Sequence, residues 1–399
     1  MFKKPLVELE KNDIELIIKN GEIENRTLDY KQELPGNKDQ DKVECLADIS
    51  SFANASGGYI IYGLADKRDA EGKNTGIPEY LGLGIVNIDQ EKQRFENMLL
   101  NGIAPRINGI QFKEVGGFDN GPVFVIYIPR SWAAPHMVKF KNHYRFYSRN
   151  SSGKYPLDID EIRAAFAQSE ALPERIREFR LHRIAKIIEG DTSVSLLQGL
   201  KYVLDIIPFD AFKHGTLHDL STFVFPGKEK LPLAHWGGQI HTKYNLEGVV
   251  ASRVVGPDWK LETYVYTQLY RNGIIEAVWM PYNPNTEGHV ENDICVEYEK
   301  SVVSSIEKFF GIQKGLGVAP PICTMVSLLE TKGRGLTEKT YVDHASQVLN
   351  SLSLKEERLL LPEVIFESFD VNVLEGMKPV FDIVLNAAGV SRAEIEAEN

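Results

Sequence analysis

The sequence predicts a mixed α+β protein, with an α+β domain followed by a second α/β domain and a long helix joining them. Its 399 residues are enough for two domains of ordinary size. Short apolar runs typical of strands alternate with segments of helical spacing along the whole chain. A long charged helical segment separates the two halves. The predicted parts are therefore residues 1–168, a linker helix at 169–190 and a domain at 191–399.

The first half contains the most regular helical pattern of the chain, at residues 39–55. Val43, Leu46, Ile49 and Ala53 lie near helical spacing there, and Ser56-Gly57-Gly58 ends the pattern. The compact apolar run at 59–64 predicts a strand buried on both faces. The other predicted elements are helices at 12–20, 88–101 and 159–168, strands at 27–31, 107–115, 123–128 and 144–149, and a polar loop at 66–78.

The second half begins with a charged helix at 172–190, which Pro173 opens. Asn272-Gly273 lies between two apolar runs, which is a strong hairpin signal. Further strands are predicted at 202–208, 248–255, 261–269, 274–281 and 320–329, and helices at 290–310 and 379–388. Because this half is acidic, we expect it to serve a partner, dimerisation or sensing role.

Composition excludes several classes of protein. Hydrophobic residues make up 43% and charged residues 25%, so the chain is neither wholly disordered nor fibrous. No apolar run approaches the ~20 residues of a membrane helix, and the first residues do not resemble a signal peptide. Cys45, Cys295 and Cys323 are few and scattered, which predicts free buried thiols, a reducing cytoplasmic location and no cysteine-built zinc site.

The net charge of −11 hides an uneven distribution. Residues 1–168 carry 22 Lys and Arg against 24 Asp and Glu, and residues 130–154 carry six basic residues and no acid. Aromatic side chains are interleaved with these basic groups, a pattern that suits phosphate neutralisation and base stacking. The candidate nucleic-acid-binding residues are Lys139, Lys141, Arg145, Arg149, Ser151 and Lys154. The alternative is a solvated basic hairpin with buried aromatics.

A second candidate site surrounds the short strand at 27–31. Asp29 and Lys31 lie two residues apart, so both side chains point to one face of that strand. A carboxylate can hold a divalent cation while a nearby lysine stabilises developing charge. Mg²⁺ needs further oxygen ligands, and Glu24 and Asp66 are the available acids. The alternative is a solvated strand edge with ordinary ion pairs.

Other chemistries have weaker support. Gly57-Gly58 follows a helix and precedes a strand, the reverse of a phosphate-cradling loop, so a helix stop is the better interpretation. His214 and His218 have Gly215 between them, which disfavours a helical metal site, and the other histidines are expected to be structural. No serine-hydrolase motif is present.

Three motifs together resemble the AlbA-like domain of the Schlafen family. They are Glu24 followed by Asp29-Tyr30-Lys31, then Phe52-Ala53-Asn54 with Gly57-Gly58 and Asp66, and then the segment 144–152. The resemblance covers about residues 12–168. It implies an active site in which Glu24, Asp29 and Asp66 hold Mg²⁺ or Mn²⁺ and Lys31 assists. Asp29 stands where the family usually has Glu.

The resemblance implies nucleic-acid binding, with metal-dependent cleavage of RNA, including tRNA, or of DNA as the leading hypothesis. Bacterial defence or stress would fit the family. Dimerisation or the C-terminal domain would be needed to complete the groove for nucleic acid. The alternative is a non-catalytic DNA- or RNA-binding regulator whose C-terminal domain senses a ligand or dimerises. An ATP-binding protein is the third hypothesis.

Overall fold

The computed structural model describes residues 4, 6–68, 74–151, 153–213, 215–224, 230–234, 240–255, 262–281, 293–339, 346–348 and 351–393. The chain divides into two compact units, Met1–Ala171 and Leu172–Asn399. Helices and strands are mixed in both units, which confirms the predicted α+β class.

The described part of the N-terminal unit contains three helices and the start of a fourth. The helices are α1 (Lys11–Asn20), α2 (Asp39–Ala53), α3 (Ile88–Gly102) and α4 (Ile159–Glu189). The strands are β1 (Leu28–Lys31), β2 (Gly58–Tyr62), β3 (Leu64–Arg68), β4 (Asn74–Tyr80), β5 (Ile103–Ala104), β6 (Gln111–Val115), β7 (Val123–Ile128), β8 (Met137–Phe140), β9 (His143–Asn150) and β10 (Gly153–Pro156).

The central sheet of this unit has the strand order β1-β2-β7-β6. β1 and β2 are parallel, and α2 connects them, as a parallel pair requires a long crossover. A second, antiparallel sheet has the order β10-β9-β8-β5, and β3 pairs with β4. The short strand β1 therefore lies directly beside the buried strand β2, with Asp29 opposite Ile60.

Apolar residues cover both faces of the central sheet, because side chains alternate along each strand. Ile60 and Ile126 face a core that includes Phe52 of α2 and Phe95 of α3. Leu28, Tyr30, Ile61 and Val125 face the other core, together with Ile14 and Ile17 of α1. Tyr30 therefore points to the α1 side, and Asp29 and Lys31 point to the α2 side.

Gly57 and Gly58 end α2 and lead into β2, as the sequence predicts. Gly57 has a φ of +69°, in the region that favours glycine. A Cβ atom on Gly58 would lie 2.3 Å from the backbone oxygen of Thr27, just before β1. The glycine pair therefore allows β1 and β2 to approach each other closely.

Several boundaries in this unit differ from those predicted. The predicted strand at 59–64 is divided at Gly63, which has a φ of +94°. The loop predicted at 66–78 is wrong in part, because β3 and β4 occupy its ends and pair with each other. The helix predicted at 39–55 ends at Ala53, and the strand predicted at 107–115 begins at Gln111. The polar composition of this segment predicts a loop and gives no sign of the β3–β4 pairing.

The described part of the C-terminal unit contains the remainder of α4 and two further helices, α5 (Tyr298–Gly315) and α6 (Val373–Ala387). Its strands are β11 (Lys201–Pro208), β12 (His241–Tyr244), β13 (Gly248–Val255), β14 (Glu262–Tyr270), β15 (Ile275–Trp279), β16 (Ile294–Cys295), β17 (Ile322–Leu329), β18 (Leu336–Lys339), β19 (Ser346–Val348), β20 (Arg358–Leu360) and β21 (Val364–Phe366).

A large antiparallel sheet organises this unit. Its strand order is β12-β13-β14-β15-β11-β17-β20, and β21 also pairs with β17. Ile184 and Ile187 of α4 pack on one face, against Val203 and Tyr266. α5 and α6 pack on the other face, within the largest apolar core that the described residues form.

Four helix predictions for this part of the chain need correction. The helices predicted at 159–168 and 172–190 are one continuous helix, α4, with Pro173 in its interior. The helix predicted at 290–310 begins at Tyr298, after the short strand β16. The helix predicted at 379–388 begins six residues earlier, at Val373, where the side chain of Asn372 accepts from the Glu375 N–H. Proline favours the first turn of a helix, but Pro173 and Pro379 both lie inside helices.

The three cysteines are free and buried, as predicted. Of the helices that the structure describes, none combines the length and apolar character needed to cross a bilayer.

Candidate functional site

Four acidic and three basic side chains lie near one another around β1 and α2. We call this group the N-terminal charge cluster. Its members are Glu24, Asp29, Asp48, Asp66, Lys31, Arg149 and Lys154. Asp29 is 7% exposed, and the Lys31 Nζ lies 3.1 Å from its Oδ2. The predicted alternation along β1 therefore brings this acid and this lysine together.

Glu24 and Asp29 are held close by the backbone that leads into β1. The Glu24 Oε1 accepts a 2.7 Å hydrogen bond from the Tyr30 N–H, and its carboxyl group also hydrogen-bonds to Asp29. Burial of the carboxyl group, the Asp29 hydrogen bond and the charges of Asp29 and Asp66 raise the pKa of Glu24 to about 7. The Glu24 carboxyl group therefore keeps a proton to a higher pH than an ordinary glutamate does.

Asp66 completes the predicted acid trio from β3. It is half-buried, and it is near enough to Glu24 to raise the pKa of that carboxyl group. Its Oδ1 atom is buried without a hydrogen-bond partner. A buried carboxylate oxygen in this condition is costly unless a ligand or an ion satisfies it.

Arg149 supplies a buried positive charge to the cluster. It is 5% exposed, its guanidinium lies 3.7 Å from the Phe52 ring centroid, and Nη1 lies 3.9 Å from the Asp29 Oδ2. Burial lowers its pKa, although the charge of Asp29 opposes that effect. Its Nε and Nη1 atoms lack hydrogen-bond partners. Arg149 therefore keeps donor capacity inside the cluster.

Asp48 of α2 is the member that sequence reasoning missed. It is 5% exposed, its Oδ2 lies 3.4 Å from the Lys31 Nζ, and its Oδ1 lies 2.8 Å from the Lys154 Nζ. A signal was present: Asp48 lies three residues after Cys45 and four before Phe52, on the buried stripe of α2. An acid in such a stripe needs a buried partner.

The other predicted phosphate-binding residues lie in different surroundings. Lys141 pairs with Asp39, and Lys154 pairs with Glu44 as well as with Asp48. Lys139, Arg145 and Ser151 are exposed.

Strand pairing decides which of these groups share a face. Lys139 lies opposite Tyr144 across the β8–β9 pair, and Tyr144 is 58% exposed. By alternation, these two side chains point away from the face of β9 that carries Arg145 and Arg149. The basic segment is therefore divided between an exposed face and the buried cluster.

Comparison with known proteins agrees with the predicted resemblance. Residues 24–158 match the family model described as Schlafen, AlbA_2. The N-terminal unit contains a Schlafen AlbA_2 domain. The match begins at Glu24 and includes every predicted site residue, whereas the C-terminal unit lies outside it.

Matches to whole proteins are weak. No curated protein matches the chain. The N-terminal domain of a putative ATP-dependent DNA helicase RecG-related protein from Nitrosomonas europaea is 15% identical, with 29% of this chain and 71% of that chain covered and a TM-score of 0.23. The DIP2311 protein from Corynebacterium diphtheriae is 17% identical, with 37% and 30% covered and a TM-score of 0.25.

The carboxylate oxygens of the AlbA_2 domain are the kind of ligand that a hard cation prefers, but they are not arranged around a common point. Glu24, Asp29 and Asp66 offer the carboxylate oxygens that Mg²⁺ and Mn²⁺ prefer, and Asp66 has an unpartnered one. Among the residues that the structure describes, no three Asp, Glu, His or Cys side chains converge as a metal site. Glu24 would have to release its proton before the three could act together.

Within the described ranges, no histidine adds a ligand to this cluster. His136 is buried, its Nδ1 lies 2.8 Å from the Pro105 oxygen, and burial lowers its pKa. His143 contacts the Tyr147 hydroxyl. His214 and His235 lie outside the described residues.

Proposed function

We propose that the AlbA_2 domain binds nucleic acid and cleaves phosphodiester bonds with Mg²⁺ or Mn²⁺ held by Glu24, Asp29 and Asp66. The observation that carries this proposal is the unpartnered, buried Oδ1 of Asp66, near the Glu24 carboxyl group that the Tyr30 N–H holds beside Asp29. A divalent cation could displace the proton of Glu24 and bind the free oxygen of Asp66. The set of three acids with an adjacent lysine favours hydrolysis over binding alone.

Lys31 has the properties of a group that stabilises charge in the reaction. Burial alone would lower its pKa, but the carboxylates of Asp48 and Asp29 outweigh that effect and raise it. The ammonium group therefore stays protonated at neutral pH and can donate to phosphate oxygens. The bound cation would supply a Lewis acid and a more acidic water molecule. Arg149 can use its unpartnered donors to hold negative charge beside Asp29.

Exposed side chains of the basic segment would hold the rest of the substrate. Lys139, Arg145 and Ser151 are exposed and can contact phosphate oxygens, while Lys141 would have to exchange its ion pair with Asp39. Tyr144 offers an exposed ring on which a base can stack. We propose RNA, including tRNA, as the first substrate class to test, and DNA as the second.

The second candidate is a non-catalytic nucleic-acid-binding regulator, whose C-terminal unit senses a ligand or dimerises. Asp29 is already balanced by Lys31 and approached by Arg149, which favours a cluster that maintains structure without a metal. The ATP-binding hypothesis has less support. The Thr27 oxygen fills the space beside Gly58, which favours a role of this glycine pair in strand packing over phosphate binding.

The test is cleavage of tRNA, single-stranded RNA and DNA in Mg²⁺, Mn²⁺ or EDTA. Wild type is compared with Asp29→Asn and Lys31→Met. Asp89→Asn and Lys92→Met serve as matched controls, because both residues lie on α3 of the same unit and Asp89 is 92% exposed. We expect metal-dependent cutting, reduced about 10²–10³-fold in the two site variants and unchanged in the controls.

Two outcomes would contradict the nuclease proposal. Cutting that persists in EDTA or in Asp29→Asn would come from another site or a contaminant. Salt-sensitive binding in all variants without any cutting would support the regulator instead.

A further inference from the structure

The carboxylate of Asp48 binds a different lysine with each of its two oxygen atoms. Oδ2 lies 3.4 Å from the Lys31 Nζ, and Oδ1 lies 2.8 Å from the Lys154 Nζ. Lys31 comes from β1 of the central sheet, whereas Lys154 comes from β10 of the second sheet. Asp48 therefore links the two sheets through α2.

Each lysine has a second carboxylate partner, and these partners differ in position. Lys31 lies between Asp48 and Asp29, with 3.1 Å to the Asp29 Oδ2. Lys154 also binds the Glu44 Oε1 at 2.5 Å, and Glu44 is 67% exposed. The chain of contacts thus runs from an exposed acid of α2 to the buried acid of β1.

We propose that Asp48 is the positioning residue of this site, and that it holds the Lys31 ammonium group beside Asp29. Its effect on catalysis rests on the nuclease function proposed above. Lys31 has a long flexible side chain, and Asp29 alone could hold its ammonium group in several places. A second carboxylate on a rigid helix restricts that group to one position between the two acids.

Fold stability is a weak explanation for an acid at this place. Asp48 is 5% exposed on a helix stripe that otherwise carries Cys45, Ile49 and Phe52. Burying a carboxylate carries a desolvation cost, and apolar replacement of a buried ion pair is often neutral or stabilising. Burial also raises the pKa of Asp48, which the two lysines oppose. The acid is better explained by the lysines that it orients.

The test compares Asp48→Asn with Glu44→Gln, which removes the other partner of Lys154 and leaves Asp48 in place. Selectively ¹³C-labelled lysine is observed by NMR through its ε-methylene groups, and Lys31→Met and Lys154→Met assign the two signals. We expect both signals to shift in Asp48→Asn and only the Lys154 signal to shift in Glu44→Gln. An unchanged Lys31 signal in folded Asp48→Asn would overturn the proposal.

Cleavage kinetics provide the functional readout. We expect Asp48→Asn to lower kcat about a hundredfold while KM changes less than about twofold, because Lys139, Arg145 and Ser151 are proposed to hold the substrate and Lys154 keeps Glu44 as a partner. Glu44→Gln should leave kcat unchanged. If kcat and KM of Asp48→Asn equal those of wild type, the positioning role is wrong.

Two provisions keep the test decisive. If Asp48→Asn does not fold, Asp48→Glu replaces it, since the added methylene should still displace Lys31 and lower kcat. If wild type cleaves nothing, the proposed nuclease fails and the Lys31 signal alone decides the positioning role. A shift in that signal would support Asp48, and no shift would overturn it.

Discussion

Each unit of the chain buries a charge cluster, and the two differ in how completely they are enclosed. In the C-terminal unit, Arg183 of α4 donates to both oxygens of Glu276, at 2.7 and 3.0 Å, and Tyr266 donates to the same carboxylate. Arg180 donates to Ser327 and to two backbone oxygens. Glu276 has no exposed surface. We call these residues, with Asp205, the C-terminal charge cluster.

The N-terminal charge cluster has the same types of groups but remains partly open. The Lys31 side chain is 34% exposed, and Glu24 is exposed although its carboxyl group faces Asp29. Arg149 and Asp66 have atoms without hydrogen-bond partners. The comparison teaches that charged residues alone do not identify a reactive site. Unpartnered polar atoms occur in both clusters, on Asp66 and Arg149 here and on Asp205 in the C-terminal charge cluster, so it is access from the surface that distinguishes the two.

The largest expected effect is on stability, in the enclosed cluster. Arg183→Met should lower the free energy of unfolding by about 3–5 kcal/mol, because it leaves the Glu276 charge buried without its partner. The measurement is chemical denaturation at neutral pH. The double variant Arg183→Met with Glu276→Met should recover most of the loss. A single variant as stable as wild type would mean that the pair is not fully desolvated.

The next effect is a pH dependence of the free energy of unfolding that is caused by Asp205. Both its carboxylate oxygens are buried without partners, and burial with the Glu276 charge raises the pKa of Asp205 to about 8. The unfolded chain loses this proton near its ordinary pKa, so stability should fall as pH rises from about 4 to 8. We expect this decrease in the wild type and its absence in Asp205→Asn.

The control for that measurement is Asp160→Asn, since Asp160 is 89% exposed. The free energy of unfolding of Asp160→Asn should have the same pH dependence as that of the wild type. A wild-type curve that is flat over this range, or equally steep in Asp205→Asn, would show that Asp205 is ionised in the folded protein.

A smaller effect would show whether the N-terminal cluster exchanges a proton for a metal. Because the pKa of Glu24 is raised to about 7, Mn²⁺ affinity should rise about tenfold per pH unit below that value and level off above it. Electron paramagnetic resonance of free Mn²⁺ measures this affinity without substrate. Glu24→Gln should bind more weakly and lose the dependence. Binding that does not vary with pH would exclude Glu24 as a ligand.

The smallest effect tests the exposed face of the basic segment. Lys139→Ala should weaken nucleic-acid binding similarly for all sequences and reduce the slope of log affinity against log salt by about 1. Fluorescence anisotropy at several salt concentrations gives the slope, with Lys92→Ala as the control. An unchanged slope would mean that the nucleic acid lies elsewhere.

Local sequence patterns were enough for much of the site. Alternation along β1 predicted that Asp29 and Lys31 share a face, and their ion pair agrees. The glycine pair predicted the end of α2. Asp48 was not predicted, because its partners lie 17 residues before it and 106 residues after it and belong to two different sheets. The sequence also did not predict that Arg149 is buried while Arg145, four residues earlier, is exposed.

By itself, the sequence determined the mixed α+β class, the buried thiols, most helices and strands, and the three-motif resemblance to the AlbA_2 domain. These features depend on spacing and on neighbouring residues, which the chain order contains directly. Only the tertiary structure decided which charges meet, which are enclosed and which retain free donors or acceptors. Those properties depend on burial and on contacts between distant segments, so they exist only after the sheets and helices have packed.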